Sequence, residues 1–144
     1  MPIAPELTNY LKNLLKEPFN KYCIDCKINM STHSIVFYGI FVCYDCMLKI
    51  RNTFGVEQTY PKKVIGEHWD DYQLMCIAAG SGGNRNVYEL LKEYELEDKD
   101  FKAKYDSKIF KWYRKRHMCR INGIPFDDEP PAKTWKEAAQ KKKE

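Results

Sequence analysis

The sequence predicts an α+β fold: a small four-cysteine lobe with short antiparallel strands, closed by one metal ion and packed on several α-helices. Three observations carry that prediction. Two Cys-x2-Cys pairs stand at Cys23, Cys26, Cys43 and Cys46, a β-branched and aromatic run lies between them, and short segments with helical apolar spacing surround them. At 144 residues, with 44% hydrophobic and 31% charged side chains, the chain suffices for one core plus a metal-stapled lobe. Two catalytic domains would not fit. A mean hydropathy of -0.62 is that of a soluble folding sequence, and the 14% aromatic content supplies dense core material.

Leu7, Leu11, Leu14 and Leu15 fall at i, i+4, i+7 and i+8, which predicts an amphipathic helix over 6–16 that Pro18 stops. The run Ile35-Val36-Phe37-Tyr38-Gly39-Ile40-Phe41-Val42 reads as strand. Tyr72, Met75, Cys76 and Ala79 recur at helical spacing over 70–79, before Gly80-Ser81-Gly82-Gly83-Asn84 breaks the pattern. Val87, Leu90, Leu91 and Tyr94 give the next short helix. After a charged linker over 95–99, Phe101, Tyr105, Ile109, Trp112 and Arg116 share one face of a longer helix. Pro125, Pro130 and Pro131 then keep the chain extended, and a last exposed helical turn or two is expected over 135–143. The reading is one domain over 1–123 followed by a Pro-containing, charged tail over 124–144.

The cysteines form C-x2-C-x16-C-x2-C, two knuckles able to close a tetrahedral zinc site with Zn–S distances of about 2.3 Å. Four soft sulfurs leave no open coordination position, so the expected cofactor is one structural zinc ion whose binding energy is folding energy. Two disulfides, which need an oxidising compartment, or four unrelated buried thiols are the other readings of the same residues. Cys76 and Cys119 fall outside the spacing and are expected as small packing residues. His33, His68 and His117 are read as surface or packing residues too.

The net charge of +4 is unevenly spread. Between residues 102 and 120 stand eight Lys or Arg against one Asp, so a basic helix is expected over 102–120. Such a helix suits anionic lipid headgroups, each cation contributing about 1 kcal/mol near the surface. Nucleic acid fits less well, because the helix does not follow the last cysteine directly. The N-terminus has no charged segment followed by an apolar one, and no apolar run approaches the ~20 residues that cross a bilayer. The expected location is cytoplasmic or organellar, the mitochondrion included, and neither secreted nor transmembrane.

At this cysteine spacing the chain resembles the zinc-finger domain of Arf GTPase-activating proteins, in which an arginine five residues beyond the last cysteine enters the GTPase active site. Here the cysteine is Cys46 and the arginine Arg51. Asn20, Asp25, Gly39, Gly55 and Trp69 match further positions. Gly82-Gly83-Asn84 with Tyr88-Glu89-Leu90-Leu91 is similar to the family's glycine-asparagine turn and helix, and Lys104-Tyr105-Asp106-Ser107-Lys108 with Tyr113-Arg114 to its closing helix. The resemblance covers roughly residues 7–123. It implies the family's fold, zinc on the four cysteines, Arg51 as arginine finger, and an Arf-type small GTPase as partner.

Several positions depart from the family pattern. His33 stands where the family has tryptophan, Ile50 where it has histidine, and Asn52, Thr53 and Phe54 follow the arginine. Glu57-Gln58-Thr59-Tyr60-Pro61 and Gly66-Glu67-His68 also differ, and Pro61 removes a backbone donor near the expected GTPase-facing surface. A finger must be held to about 0.5 Å by its neighbours, so an altered shell bears on activity. The first reading is therefore a catalytically degenerate interaction subunit whose partners are other subunits of a larger assembly. The alternative is an active GTPase activator that uses Arg51.

Overall fold

A computed structural model of the chain describes residues 5–78 and 83–132. Ala79, the last residue of the helix expected over 70–79, the stretch Gly80-Ser81-Gly82 and the helical turn expected over 135–143 lie outside them. Helix α1 (Pro5–Lys16) forms where the leucine spacing predicts it and buries Leu11 and Leu14. Pro18 stops α1 and opens the short α2 (Pro18–Lys21), the position in a helix where a missing N–H costs nothing.

The apolar run over 35–42, which reads as one strand, is folded back on itself. Strand β1 (His33–Ile35) gives way to a 3-10 turn (Val36–Tyr38), and β2 (Ile40–Val42) returns antiparallel with Ile35 opposite Ile40. Gly39 makes the reversal at φ +67, and a Cβ there would stand 2.9 Å from the Cys76 carbonyl oxygen. Only glycine fits both demands. A third strand, β3 (Pro61–Lys63), pairs with the other side of β1, giving the order β2-β1-β3. Nothing in Pro61-Lys62-Lys63 reads as strand from sequence; proline is tolerated because it opens an edge strand.

Helix α3 (Tyr44–Phe54) leaves the second cysteine pair, and Gly55 at φ +91 turns it into α4 (Val56–Thr59). Helix α5 (Asp71–Ile77) begins at a capping box between Asp70 and Gln73, and α6 (Asn84–Glu93) follows the glycine turn. The single long basic helix expected beyond residue 100 is two helices, α7 (Phe101–Tyr105) and α8 (Lys108–Ile121). Ser107 interrupts it by capping α8, its hydroxyl accepting from the Phe110 N–H at 3.2 Å. Trp112 and Arg116, expected on the same face as Phe101 and Ile109, are only partly buried. The buried face of α8 is Ile109, Phe110, Tyr113, His117 and Ile121.

The sheet separates two apolar clusters, as alternation along a strand requires. Ile35, Ile40 and Val42 face one cluster with the cysteines, Ile50, Leu91, Tyr105 and Phe110; Val36 and Phe41 face the other with Leu11, Leu14, Trp69 and Ile77. Asn84 closes the free edge of β2 much as a strand would. Its Oδ1 accepts from the Phe41 N–H at 2.7 Å and its Nδ2 donates to the Phe41 carbonyl at 3.0 Å. Asn20 completes the link, accepting from the Asn84 N–H and donating to the Leu14 carbonyl. His117 and Cys76 are buried packing residues, as expected.

Candidate metal centre and arginine finger

Four sulfurs converge between the first knuckle and the start of α3. Those of Cys23, Cys26, Cys43 and Cys46 all lie within 4.8 Å of one another, and Cys26 and Cys43 are 3.9 Å apart. A tetrahedral zinc with bonds of about 2.3 Å sets its sulfurs roughly 3.8 Å apart, so the arrangement fits that ion. The surroundings suit thiolates. Asn29 donates its backbone N–H to Cys26 Sγ at 3.5 Å and its side-chain amide to Cys43 Sγ at 3.7 Å. Hydrogen bonding from Cys46 draws the Cys23 thiol below its ordinary range, while the same contact and burial push Cys46 up.

Charge compensation is built beside the cluster. Asp25, between the first two cysteines, is buried with its Oδ1 2.6 Å from Lys104 Nζ and its Oδ2 3.4 Å from Lys49 Nζ. Lys104 itself is 2% exposed, which only a paired lysine tolerates. The lysine belongs to α7, so this ion pair ties the closing helices to the cysteine lobe. Sequence reading finds Lys104 within the closing-helix resemblance but not its partner. A buried lysine carries no local signature.

Helix α3 inserts Cys46, Met47 and Ile50 into the cluster and places Arg51 next to them, half-buried in the helix's last full turn. Among the described residues its side chain has one polar partner, Asn52 Oδ1, which accepts from Nε at 3.3 Å. Among the described residues the terminal guanidinium nitrogens have no polar partner. The turn beyond is firmly held: Phe54 meets the Tyr38 ring edge-on at 6.5 Å, Gln58 donates to the Tyr38 hydroxyl at 2.7 Å, and Thr59 Oγ1 donates to the Gly55 carbonyl at 2.7 Å.

The departures from the family pattern are accommodated by this packing. The His33 ring lies 5.5 Å from that of Tyr44, the first residue of α3, and Ile50 is fully buried in the core. Pro61 opens β3, leaving its neighbours in register with β1. The helix that presents Arg51 is anchored at both ends.

Comparison with known proteins gives a consistent answer. The family ArfGap, described as "Putative GTPase activating protein for Arf", matches residues 8–122. The chain is similar to ADP-ribosylation factor GTPase-activating protein 3 of Bos taurus, 29% identical over 80% of this chain and 22% of that protein. An uncharacterized protein of Caenorhabditis elegans is 30% identical over 78% of this chain and 21% of its own length. The chain thus spans about a fifth of the curated relatives it matches. Among solved structures, a "putative GTPase activating protein for ADP ribosylation factor from Cryptosporidium parvum" shares the fold at a TM-score of 0.68 and 22% identity, covering 81% of this chain and 91% of that one. The ArfGap domain of HIV-1 Rev binding protein matches at a TM-score of 0.51 and 20% identity, covering 81% and 82%. On the match over 8–122, the chain belongs to the ArfGap family.

Proposed function

We propose that this chain accelerates GTP hydrolysis by an Arf-type small GTPase, with Arg51 as an arginine finger supplied in trans and one structural zinc on Cys23, Cys26, Cys43 and Cys46. The observation that carries the reading is the presentation of Arg51: it follows Cys46 on a helix rooted in the cysteine cluster, and among the described residues its guanidinium is engaged only through Nε. In phosphoryl transfer, negative charge spreads over the equatorial oxygens of the departing γ-phosphoryl group. A guanidinium donates several hydrogen bonds to such oxygens in a fixed plane, where a lysine offers a single point charge. The GTPase supplies nucleotide and water; the finger supplies one cation at the position where charge develops. Fingers of this kind contribute about 10³ to 10⁵ in rate, which is roughly 4 to 7 kcal/mol of barrier.

Zinc here would fix the knuckles and the start of α3, holding the finger without entering the reaction. Single-turnover GTP hydrolysis by a panel of Arf-type GTPases tests the proposal. Wild-type chain should accelerate at least one of them, Arg51→Ala should remove about 10³ of that acceleration, and Arg51→Lys should recover little. A second reading, an interaction subunit in a larger assembly, draws on the changed residues His33 and Ile50. It predicts no acceleration of any GTPase, indifference to Arg51→Ala, and co-purification of the native protein with a stable complex.

A further inference from the structure

Helix α8 carries six cations, Lys108, Lys111, Arg114, Lys115, Arg116 and Arg120, and no acid. Lys108, Lys111 and Lys115 are exposed and fall at i, i+3 and i+7, with the partly buried Trp112 among them, so they line one stripe of the helix surface. The chain beyond α8 comes back over this stripe. Residues 126–131, Phe126-Asp127-Asp128-Glu129-Pro130-Pro131, touch Trp112 and Lys115 of α8 and Tyr94 just beyond α6. The Phe126 ring meets Trp112 at 5.7 Å, the Trp112 indole N–H donates to the Asp128 carbonyl at 2.9 Å, Lys115 Nζ lies 2.6 Å from Asp128 Oδ2, and the Tyr94 hydroxyl donates to the Pro131 carbonyl at 2.8 Å.

We propose that the lysine stripe of α8 is a docking surface for an anionic lipid bilayer, and that residues 126–131 are an acidic strap which covers its Lys115 end, Lys111 lying instead 3.2 Å from Asp106 Oδ1, until the bilayer displaces them. The strap itself demonstrates the chemistry the surface accepts: three consecutive acids, one seated on Lys115, beside an aromatic ring. The seat is exchangeable, since Lys115 and Asp128 are 63% and 52% exposed and such pairs are screened by salt. A bilayer is the occupant the surroundings favour. Trp112 and Ile124 flank the lysines; Ile124 is 55% exposed, and its N–H bonds back to the Cys119 carbonyl at the end of the same stripe. Cations beside an indole and an exposed aliphatic side chain match the phosphates and apolar boundary of a membrane interface. The prolines keep the strap extended before it docks, which limits the order it must gain.

The test is co-sedimentation of the full chain with phosphatidylcholine vesicles, with and without phosphatidylserine, at low and high salt. Phe126→Ala loosens the strap without changing charge and should raise affinity for the phosphatidylserine vesicles about fivefold, the effect of one lysine freed at the surface. Asp127→Asn, Asp128→Asn and Glu129→Gln together should raise it by about tenfold, and Lys111→Ala with Lys115→Ala should abolish the gain. Equal binding with and without phosphatidylserine, or indifference to the lysine substitutions, overturns the docking surface. Loss with the lysine variant but no gain with Phe126→Ala overturns the strap, leaving only net charge. A gain for soluble polyglutamate and none for vesicles makes the partner an acidic protein and overturns the bilayer.

Discussion

Lys104 and Asp25 show how one buried pair links distant parts of the chain. Both side chains are nearly inaccessible, at 2% and 5% exposure, and the pair is 2.6 Å apart. Removing one partner leaves the other's charge buried without its compensation, which typically costs about 3 to 5 kcal/mol. Lys104→Met should therefore destabilise the folded chain by about that amount, and Lys104→Met with Asp25→Asn should recover a substantial part of the loss, read by chemical denaturation of the metal-loaded protein. Equal destabilisation by the single and double variants would show that the charges are independent. The clustering of the four cysteines was legible from spacing alone, because a shared ligand geometry imposes that spacing, whereas Arg51 was singled out only through the family resemblance. Lys104 was not legible as a partner of Asp25, since the contact is made by tertiary packing between α7 and the first knuckle.

The elements divide along the same line between local and long-range causes. Helices α1 and α6 follow from apolar periodicity, and the capping box of α5 from Asp70 and Gln73. The division of α7 from α8 runs against periodicity, which continues through Phe101, Tyr105 and Ile109 and conceals the break. The local signal is Ser107, which caps α8 and also donates its hydroxyl to the Lys104 carbonyl at 2.7 Å. Ser107→Ala should cost about 1 kcal/mol of stability, seen as a lower denaturation midpoint with an unchanged slope. An unchanged midpoint would mean that packing of Phe110 and Tyr113 alone sets where α8 begins. Likewise the run over 35–42 carries strong strand preference throughout, and the left-handed turn at Gly39 folds it into a hairpin, where Cys76 from α5 and Tyr113 from α8 leave no room for a Cβ. Strand β3 has almost no propensity of its own and is formed by pairing with β1.

Across the whole molecule, the cysteine lobe and the helices share one apolar cluster, so the helix that carries Arg51 is rooted in the same packing as the proposed zinc ligands. The fold class and the basic character of the C-terminal third were readable from sequence, because composition and spacing determine them. The acidic strap over α8 was not, because Asp128 meets Lys115 and Trp112 only after the chain reverses beyond Ile121. As the proposed finger, Arg51 acts on the transition state of GTP hydrolysis, and a mimic of that state is its sharpest test, since a finger binds that state more tightly than the ground state. The measurement is calorimetric titration of the chain against an Arf-type GTPase loaded with GDP, with and without aluminium fluoride. Wild-type chain should bind the fluoride-loaded form at least about 100-fold more tightly, and Arg51→Ala should erase that difference while leaving affinity for the GDP form unchanged. Equal affinity for the two forms, or a preference that survives Arg51→Ala, would show that Arg51 is not an arginine finger.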